Sequence, residues 1–215
     1  ISTGYADKAG KDMWIQFSDL DQAELSYWDN QQDQWPVFKL YNLQNKDHHM
    51  TVQRCGWCSD DPLYITYHDQ EWGQALLDEN RLFEMLCLEG QQAGLAWITV
   101  LRNREAYREH FFQYSIESIA SLTDQQLQLK LEDASLIRHR GKLNAIRENA
   151  QAWLKLRQQG INLVEWLWSF AQQPRLNNDV VDYRQAPAQT IESQKMSKAL
   201  KQAGFKFVGP TICYA

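Results

Sequence analysis

Residues 85–101 read MLCLEGQQAGLAWITVL, and this stretch places one acidic residue, Glu89, among apolar residues at helical spacing. Leu82, Leu86 and Glu89 are separated by four and then three residues, so a helix presents them on one face. A carboxylate on an apolar face is costly to bury without a partner. Because Trp97 follows closely, the pattern indicates a pocket for a flat ring that is cationic or poor in electrons. The alternative is that Glu89 caps a neighbouring helix or pairs with an arginine.

The composition is that of a folded protein. The 215 residues, 44% hydrophobic and 23% charged, suffice for one domain with a sizeable core and an appendage. The longest apolar run, residues 94–101, is far shorter than the roughly 20 residues that cross a bilayer, and the N-terminus has no signal-peptide pattern. We therefore expect a cytoplasmic protein without membrane association. Four cysteines are too few and too scattered for a disulfide scaffold.

The net charge of −5 is unevenly distributed, since residues 1–50 hold eight acidic and four basic side chains. The rest of the chain is nearly neutral and contains two basic clusters, residues 138–142 and 195–206. Each cluster is either a basic surface that binds nucleic acid or a helix face exposed to solvent.

The chain from Met50 onwards predicts helices, and no strand pattern of period two persists. Asp78 is a plausible N-cap, and Thr123 with Gln126 fits a capping box. The predicted helices cover residues 78–92, 96–111, 123–133, 141–159, 162–172 and 193–202, with a connecting loop over 174–187. Residues 1–49 carry scattered aromatic residues, and we interpret them as an N-terminal extension of unknown structure and role. Residues 50–215 form the main domain.

The final segment, SKALKQAGFKFVGPTICYA (residues 197–215), has the layout of a helix-hairpin-helix. A short helix leads into a turn bounded by Gly204 and Gly209, and Pro210 opens the next helix. Free N–H groups at the start of that helix can bind a DNA phosphate whatever the base sequence, and Lys206 can add positive charge. A glycine-bounded turn between helices is common, so this motif alone is weak evidence for DNA binding.

A third segment, RCGWCSDDPLYITYHDQEWG (residues 54–73), combines aromatic residues with Cys55 and His68. The aromatic residues are Trp57, Tyr64, Tyr67 and Trp72. Cysteine and histidine suit half of a zinc site, with Cys58 as a possible third ligand, but zinc normally takes four. The spacing of Cys55 and Cys58 also fits a redox dithiol, although no βαβ pattern surrounds it. The alternative is a free core cysteine and a surface histidine.

Five blocks together resemble the 3-methyladenine DNA glycosylase I family of bacteria, over residues 54–215. The blocks are RCGW (54–57), DPLYITYHDQEWG (61–73), LFEMLCLEGQQAGLAWITVL (82–101), IRHRGKLNAI (137–146) and SKALKQAGFKFVGPTICY (197–214). The resemblance implies an all-α helix-hairpin-helix DNA glycosylase fold. It also implies a monofunctional, monomeric enzyme of base excision repair that hydrolyses the N-glycosidic bond of 3-methyladenine in double-stranded alkylated DNA. Such an enzyme leaves an abasic site and forms no covalent lysine intermediate.

The resemblance also implies roles for single residues. Glu89 resembles the pocket carboxylate that recognises the methylated base, and Tyr67 resembles the tyrosine beside it; these two are the candidate catalytic residues. Trp97 resembles the indole on which the flipped base stacks. The candidate base-binding wall is completed by Trp57, Tyr64 and Trp72, and the candidate DNA contacts are Gly94, Leu95, Gly204, Lys206 and Gly209.

Cys55 and His68 match the first two ligands of the family's structural zinc. In the family a further histidine and cysteine come from a tail after the hairpin, which lies beyond Ala215, so we expect a C-terminally truncated chain with weak or no zinc binding. Two other functions stay open: a non-catalytic protein that binds alkylated DNA and, less favoured, a thiol–disulfide oxidoreductase using Cys55 and Cys58. Activity on 3-methylguanine depends on pocket shape and also stays open.

Overall fold

The structure is a computed structural model of the 215-residue chain. It describes residues 54–171 and 183–215 and, in the earlier part of the chain, four β-strands. The contacts between residues divide the chain into two compact units, residues 1–52 and 53–215. The expected boundary between residues 49 and 50 and most of the predicted loop over 174–187 lie outside the described residues.

The first unit contains a four-stranded antiparallel sheet that we did not predict. The strands, in the order β1-β2-β3-β4, are Ser2–Ala6, Asp12–Asp19, Gln22–Tyr27 and Val37–Lys39. Met13 lies opposite Tyr27 in the β2–β3 pair, and the register shifts between Phe17 and Asp19. Polar and apolar residues alternate along the whole of β3, whereas three consecutive apolar residues, 13–15, interrupt the alternation in β2. The sequence left the structure of residues 1–49 open, and these four strands are the part of it that the structure describes.

The second unit is helical throughout its described residues, so the predicted all-α fold is confirmed there. Its helices are α1 (Pro62–Gln70), α2 (Glu79–Gln92), α3 (Trp97–Tyr107), α4 (Ile116–Ala120), α5 (Asp124–Glu132), α6 (Arg140–Gln158), α7 (Leu163–Trp168), α8 (Ile191–Ala203) and α9 (Pro210–Tyr214). A π-helical turn follows α3, and a 3₁₀ turn precedes α8. Within the described parts of the chain, no helix is long and apolar enough to cross a membrane.

The helix ends follow the capping signals of the sequence. The Asp78 side chain accepts from the N–H of Arg81 at 2.9 Å, and Thr123 and Gln126 form the predicted reciprocal capping box. Three features differ from prediction. Helix α7 ends at Trp168, before the predicted 172. Helices α1 and α4 were not predicted, although Asp61 and Ser115 cap them and a proline opens α1.

The core of the second unit holds α2 against α3 and α6. Trp153 of α6 is fully buried, and its ring centroid lies 5.3 Å from that of Phe83 in α2. The indole N–H of Trp153 donates to the Glu79 carboxylate at 2.7 Å. Tyr107 of α3 is also fully buried. This packing fixes the orientation of α2 and therefore the face that carries Glu89.

Candidate active site

Glu89 lies near the C-terminal end of α2, on one stripe with Leu82, Met85 and Leu86. This stripe forms one wall of a cavity of about 370 Å³, and residues from the end of α7 and from α8 and α9 form the rest. Most of the lining is apolar. The Glu89 side chain is partly exposed, so the carboxylate stands at the edge of an apolar space and a ligand can reach it.

The Glu89 carboxylate has no ion-pair or hydrogen-bond partner among the described residues. The alternative interpretation, a helix cap or an arginine pair, finds no support in these residues. Burial raises the pKa of the Glu89 carboxyl from its usual value near 4.5 to about 7. A ligand with positive charge or N–H donors would stabilise the ionised form of this group.

Tyr67 lies next to this carboxylate, and Trp97 lies beside Tyr67. Tyr67 of α1 is buried, and its ring centroid lies 5.4 Å from that of Trp97, the first residue of α3. Burial and, secondarily, the charge of Glu89 raise the pKa of the Tyr67 hydroxyl above its usual range. The indole N–H of Trp97 is buried without a partner in the described structure. The Trp97 indole thus leaves hydrogen-bonding capacity unused, which is uncommon for a buried polar group.

The remaining predicted aromatic residues group around Trp57. The centroid of its ring lies 5.2 Å from that of Tyr64, 5.3 Å from Trp72 and 6.4 Å from Tyr67. Together with Trp97 these residues form what we call the aromatic cluster. It adjoins Glu89 through Tyr67. None of its members lines the cavity described above, so Glu89 lies between two separate features, the cavity and the aromatic cluster.

Cys55 and His68 are neighbours, but they do not form a complete zinc site. The main-chain N–H of Cys55 donates to His68 Nε2 at 3.3 Å, and His68 Nδ1 lies 2.9 Å from a carboxylate oxygen of Asp69. A histidine held by a carboxylate in this way is oriented as metal-ligating histidines usually are. No group of three or more potential metal ligands occurs within residues 54–171 and 183–215, however. These residues therefore do not fit a four-coordinate zinc ion.

The redox interpretation of Cys55 and Cys58 gains no support from the structure. The two residues lie in a tight turn, in which the Cys58 N–H donates to the Cys55 carbonyl at 2.8 Å, and both thiols are free. Partial burial raises the pKa of the Cys58 thiol. A raised pKa lowers the thiolate fraction, whereas disulfide exchange requires the thiolate.

The predicted DNA-contacting turn connects α2 to α3. Gly94 has a φ of +77°, a conformation that favours glycine, and Leu95 is 37% exposed. The Leu95 N–H donates to the Gln92 carbonyl at 2.7 Å, and the Gln92 side chain donates back to the Leu95 carbonyl at 2.9 Å. The tip of this turn is therefore ordered by its own hydrogen bonds and exposes an apolar side chain.

The second predicted DNA-contacting segment, residues 204–209, joins α8 to α9. Gly204 ends α8 with a φ of +104°, and Gly209 is the N-cap of α9. The main chain of Lys206 is held from α6, because its N–H donates to Asn149 Oδ1 at 2.7 Å and its carbonyl accepts from Asn149 Nδ2 at 3.2 Å. A Cβ on Gly90 would lie 3.2 Å from Phe207 Cβ. The segment thus packs against α2 immediately after the position of the acid.

Sequence reasoning missed two buried polar residues of α6, Lys142 and Asn149. Lys142 Nζ donates to the carbonyls of Gln91 and Ala93, each at 2.7 Å. Both residues lie on an apolar helical stripe, as Glu89 does. The same signal, a polar residue at a core position of a helix, would have found them.

The comparisons with known proteins agree with this geometry. A family model described as methyladenine glycosylase matches residues 57–215. The chain is 49% identical over 164 residues to DNA-3-methyladenine glycosylase 1 of Escherichia coli strain K12, which covers 76% of this chain and 88% of that protein. It is 48% identical over 162 residues to DNA-3-methyladenine glycosylase of Haemophilus influenzae, covering 75% and 88% respectively.

Solved structures give the same result. A crystal structure of a 3-methyladenine DNA glycosylase I has a TM-score of 0.70 at 48% identity, covering 75% of this chain and 89% of that one. The Staphylococcus aureus 3-methyladenine DNA glycosylase I has a TM-score of 0.67 at 34% identity, covering 75% and 86%. By sequence and by fold, the chain therefore belongs to the methyladenine glycosylase family.

Proposed function

We propose that this protein is a DNA-3-methyladenine glycosylase of base excision repair. It hydrolyses the bond between 3-methyladenine and deoxyribose in alkylated DNA and leaves an abasic site. One observation carries the proposal: the partly buried Glu89 carboxylate lacks a partner among the described residues and lies beside Tyr67, whose ring packs against Trp97. The relatives named above support the choice of substrate, because 3-methyladenine is the base in their names.

Recognition depends on the positive charge that methylation at N3 gives to the adenine nucleotide. The damaged base stacks and pairs poorly, so turning it out of the duplex costs less than the few kcal/mol needed for an intact pair. Trp97 stacks on the flipped ring, and Glu89 attracts its charge and its exocyclic amine. A normal adenine brings no charge, and it leaves the Glu89 carboxylate poorly compensated, so it is rejected.

The chemistry needs little acid catalysis. The bond between the purine nitrogen and C1′ of the sugar breaks, its electron pair neutralises the departing base, and water supplies the oxygen that bonds to C1′ and releases a proton. Glu89 acts as the recognising group and Tyr67 borders the pocket. Lys142 Nζ donates to two main-chain carbonyls at 2.7 Å, so it is not a free nucleophile. As the family resemblance implies, we expect a monofunctional hydrolase that forms no lysine adduct.

Double-stranded DNA is the proposed partner. The Gly94–Leu95 turn approaches the gap that the flipped base leaves, and the hairpin of Gly204, Lys206 and Gly209 binds the phosphate backbone. The exposed Leu95 side chain and the exposed Lys206 support these roles. We propose that the protein acts as a monomer in the cytoplasm, where bacterial DNA is found.

The base-release experiment tests the proposal directly. Methylated duplex DNA is incubated with the protein, and the freed bases are separated by chromatography while abasic sites are counted by alkaline cleavage. We expect 3-methyladenine and an equal number of abasic sites, and the same chromatogram reports any 3-methylguanine. Binding of methylated DNA without base release would refute the glycosylase and favour the non-catalytic binder.

Zinc remains a proposal that this chain supports only in part. Cys55 and His68 would supply two ligands, and no described residue completes the site. We therefore expect the purified chain to contain well under one zinc per molecule, measured by plasma mass spectrometry after dialysis. One zinc per chain, lost on replacing His68 by alanine, would contradict this expectation.

A further inference from the structure

Lys142 lies in the first turn of α6 and is 6% exposed, a rare degree of burial for a lysine. Its ammonium donates to the carbonyls of Gln91 and Ala93, at 2.7 Å each. Both carbonyls belong to the end of α2, where the helix offers no internal donors. A positive charge at a helix C-terminus is also favoured by the helix dipole. The ammonium of Lys142 therefore caps the C-terminus of α2.

The side chains of Gln91 and Tyr107 extend this hydrogen-bond network. The Gln91 amide donates to the main-chain carbonyl of Lys142 at 2.9 Å. The hydroxyl of Tyr107, a buried residue of α3, donates to Gln91 Oε1 at 3.0 Å. Because the three residues come from α6, α2 and α3, the network ties together the two helices that flank the Gly94–Leu95 turn.

The same short segment carries the proposed recognition groups. Glu89 lies two residues before Gln91, and Trp97 is the first residue of α3. The distance and angle between carboxylate and indole thus depend on how α2 ends and how α3 begins. Well-oriented groups lose about 100-fold in rate when a remote change displaces them by about 1 Å.

We propose that Lys142 is a positioning residue for base excision. By binding the carbonyls of Gln91 and Ala93, it sets Glu89 against Trp97 and holds the turn that enters the duplex. It touches neither the base nor the sugar, and this inference rests on the proposed function of the site. Removing its charge therefore lowers the rate of excision even under conditions in which the variant stays folded.

Lys130 provides a matched control. It is a partly buried lysine of α5 whose ammonium donates to one main-chain carbonyl, that of His110, at 2.7 Å, above the ring of Phe111. Burial lowers its pKa, as it does for Lys142. Neither of these contacts involves the α2–α3 connection. Lys130→Met therefore removes a similar structural bond away from the proposed site.

The experiment compares Lys142→Met, Lys130→Met and the unchanged protein, assayed well below the lowest melting temperature of the three. We expect Lys142→Met to lower kcat for 3-methyladenine release by about 10- to 100-fold, with little change in the Kd for undamaged duplex DNA. Lys130→Met should keep kcat within about twofold of the unchanged protein. Equal kcat for the two variants, or unchanged kcat in Lys142→Met, would overturn the proposal.

Amide hydrogen exchange gives a second readout that does not need activity. In Lys142→Met the amides of residues 90–97 should exchange at least about tenfold faster, while those of α5 stay unchanged. Protection unchanged at residues 90–97 would overturn the positioning role. If the unchanged protein releases no base at all, the proposed function fails, and the exchange result still decides whether Lys142 holds this segment.

Discussion

Replacing Glu89 by glutamine is expected to lower kcat/KM for 3-methyladenine release by about 10- to 150-fold, because a hydrogen bond to a charged group contributes about 1.5–3 kcal/mol. The glutamine keeps the size of the side chain and loses the charge that attracts the methylated base. Steady-state release from methylated duplex DNA measures the effect. Release at the rate of the unchanged protein would show that Glu89 does not recognise the base.

Glu84→Gln is the control on the same helix. The carboxylate of Glu84 accepts from Arg108 Nε at 2.7 Å, so it is a paired acid of α2, in contrast to Glu89. Its substitution should reduce stability slightly and leave kcat/KM within about twofold. If Glu84→Gln lost as much activity as Glu89→Gln, any loss of negative charge from α2 would reduce excision. That result would contradict a specific role of Glu89 in recognising the base.

The pKa of Glu89 also gives a dependence on pH with a definite sign. The ionised form attracts the cationic base, and burial raises the carboxyl pKa to about 7 in the folded protein. The kcat/KM of the unchanged protein should therefore fall as the pH drops below about 7, since protonation removes the charge. In Glu89→Gln this limb should be absent. A pH profile of the same shape in both proteins would contradict the assignment.

The stability of the fold should change in the opposite direction. Because the folded-state pKa of Glu89 lies above its usual value near 4.5, burial of the acid costs no stability below about pH 4.5. The cost grows as the pH rises from about 4.5 and is complete above about 7. Glu89→Gln should therefore melt higher than the unchanged protein above neutral pH and equally at low pH. A lower melting temperature of the variant at high pH would mean that the carboxylate has a stabilising partner.

Local signals explain why much of the helical unit could be predicted from the sequence. The cap at Asp78 and the box of Thr123 with Gln126 act within one turn, and the structure confirms both. Helix α1 was missed because its nine residues, PLYITYHDQ, do not separate into an apolar and a polar face. The strands of the first unit were missed because the alternation of β3 does not continue into β2, where residues 13–15 are all apolar.

Contacts between distant residues were beyond prediction. The network of Lys142 with Gln91 joins residues that are 51 positions apart, and the Trp153–Glu79 bond spans 74 positions. A helical stripe shows that such a residue faces inward, but the partner depends on how the helices cross. The position of Glu89 on an apolar helical face could be predicted because the leucines of that face and Trp97 lie close to it in sequence.

Replacing Trp97 by alanine is expected to lower kcat/KM by about 5- to 150-fold, since stacking on an aromatic side chain contributes about 1–3 kcal/mol per base. Trp97→Phe should recover most of this loss because it keeps an aromatic face. The buried indole N–H has no partner in the described structure, so removing it in Trp97→Phe should not destabilise the fold. Excision rates and melting temperatures of both variants measure these effects.

Trp166→Ala separates stacking from the general loss of an indole. Trp166 of α7 is also partly buried, and its ring centroid lies 5.4 Å from that of Phe170, away from the aromatic cluster. Both alanine variants lose a large apolar side chain, which costs up to about 3–5 kcal/mol of stability when the side chain is fully buried. Only Trp97→Ala should lose excision while still folded. Equal losses of excision in both would assign the effect to stability, because an indole outside the aromatic cluster cannot stack on a base held beside Glu89.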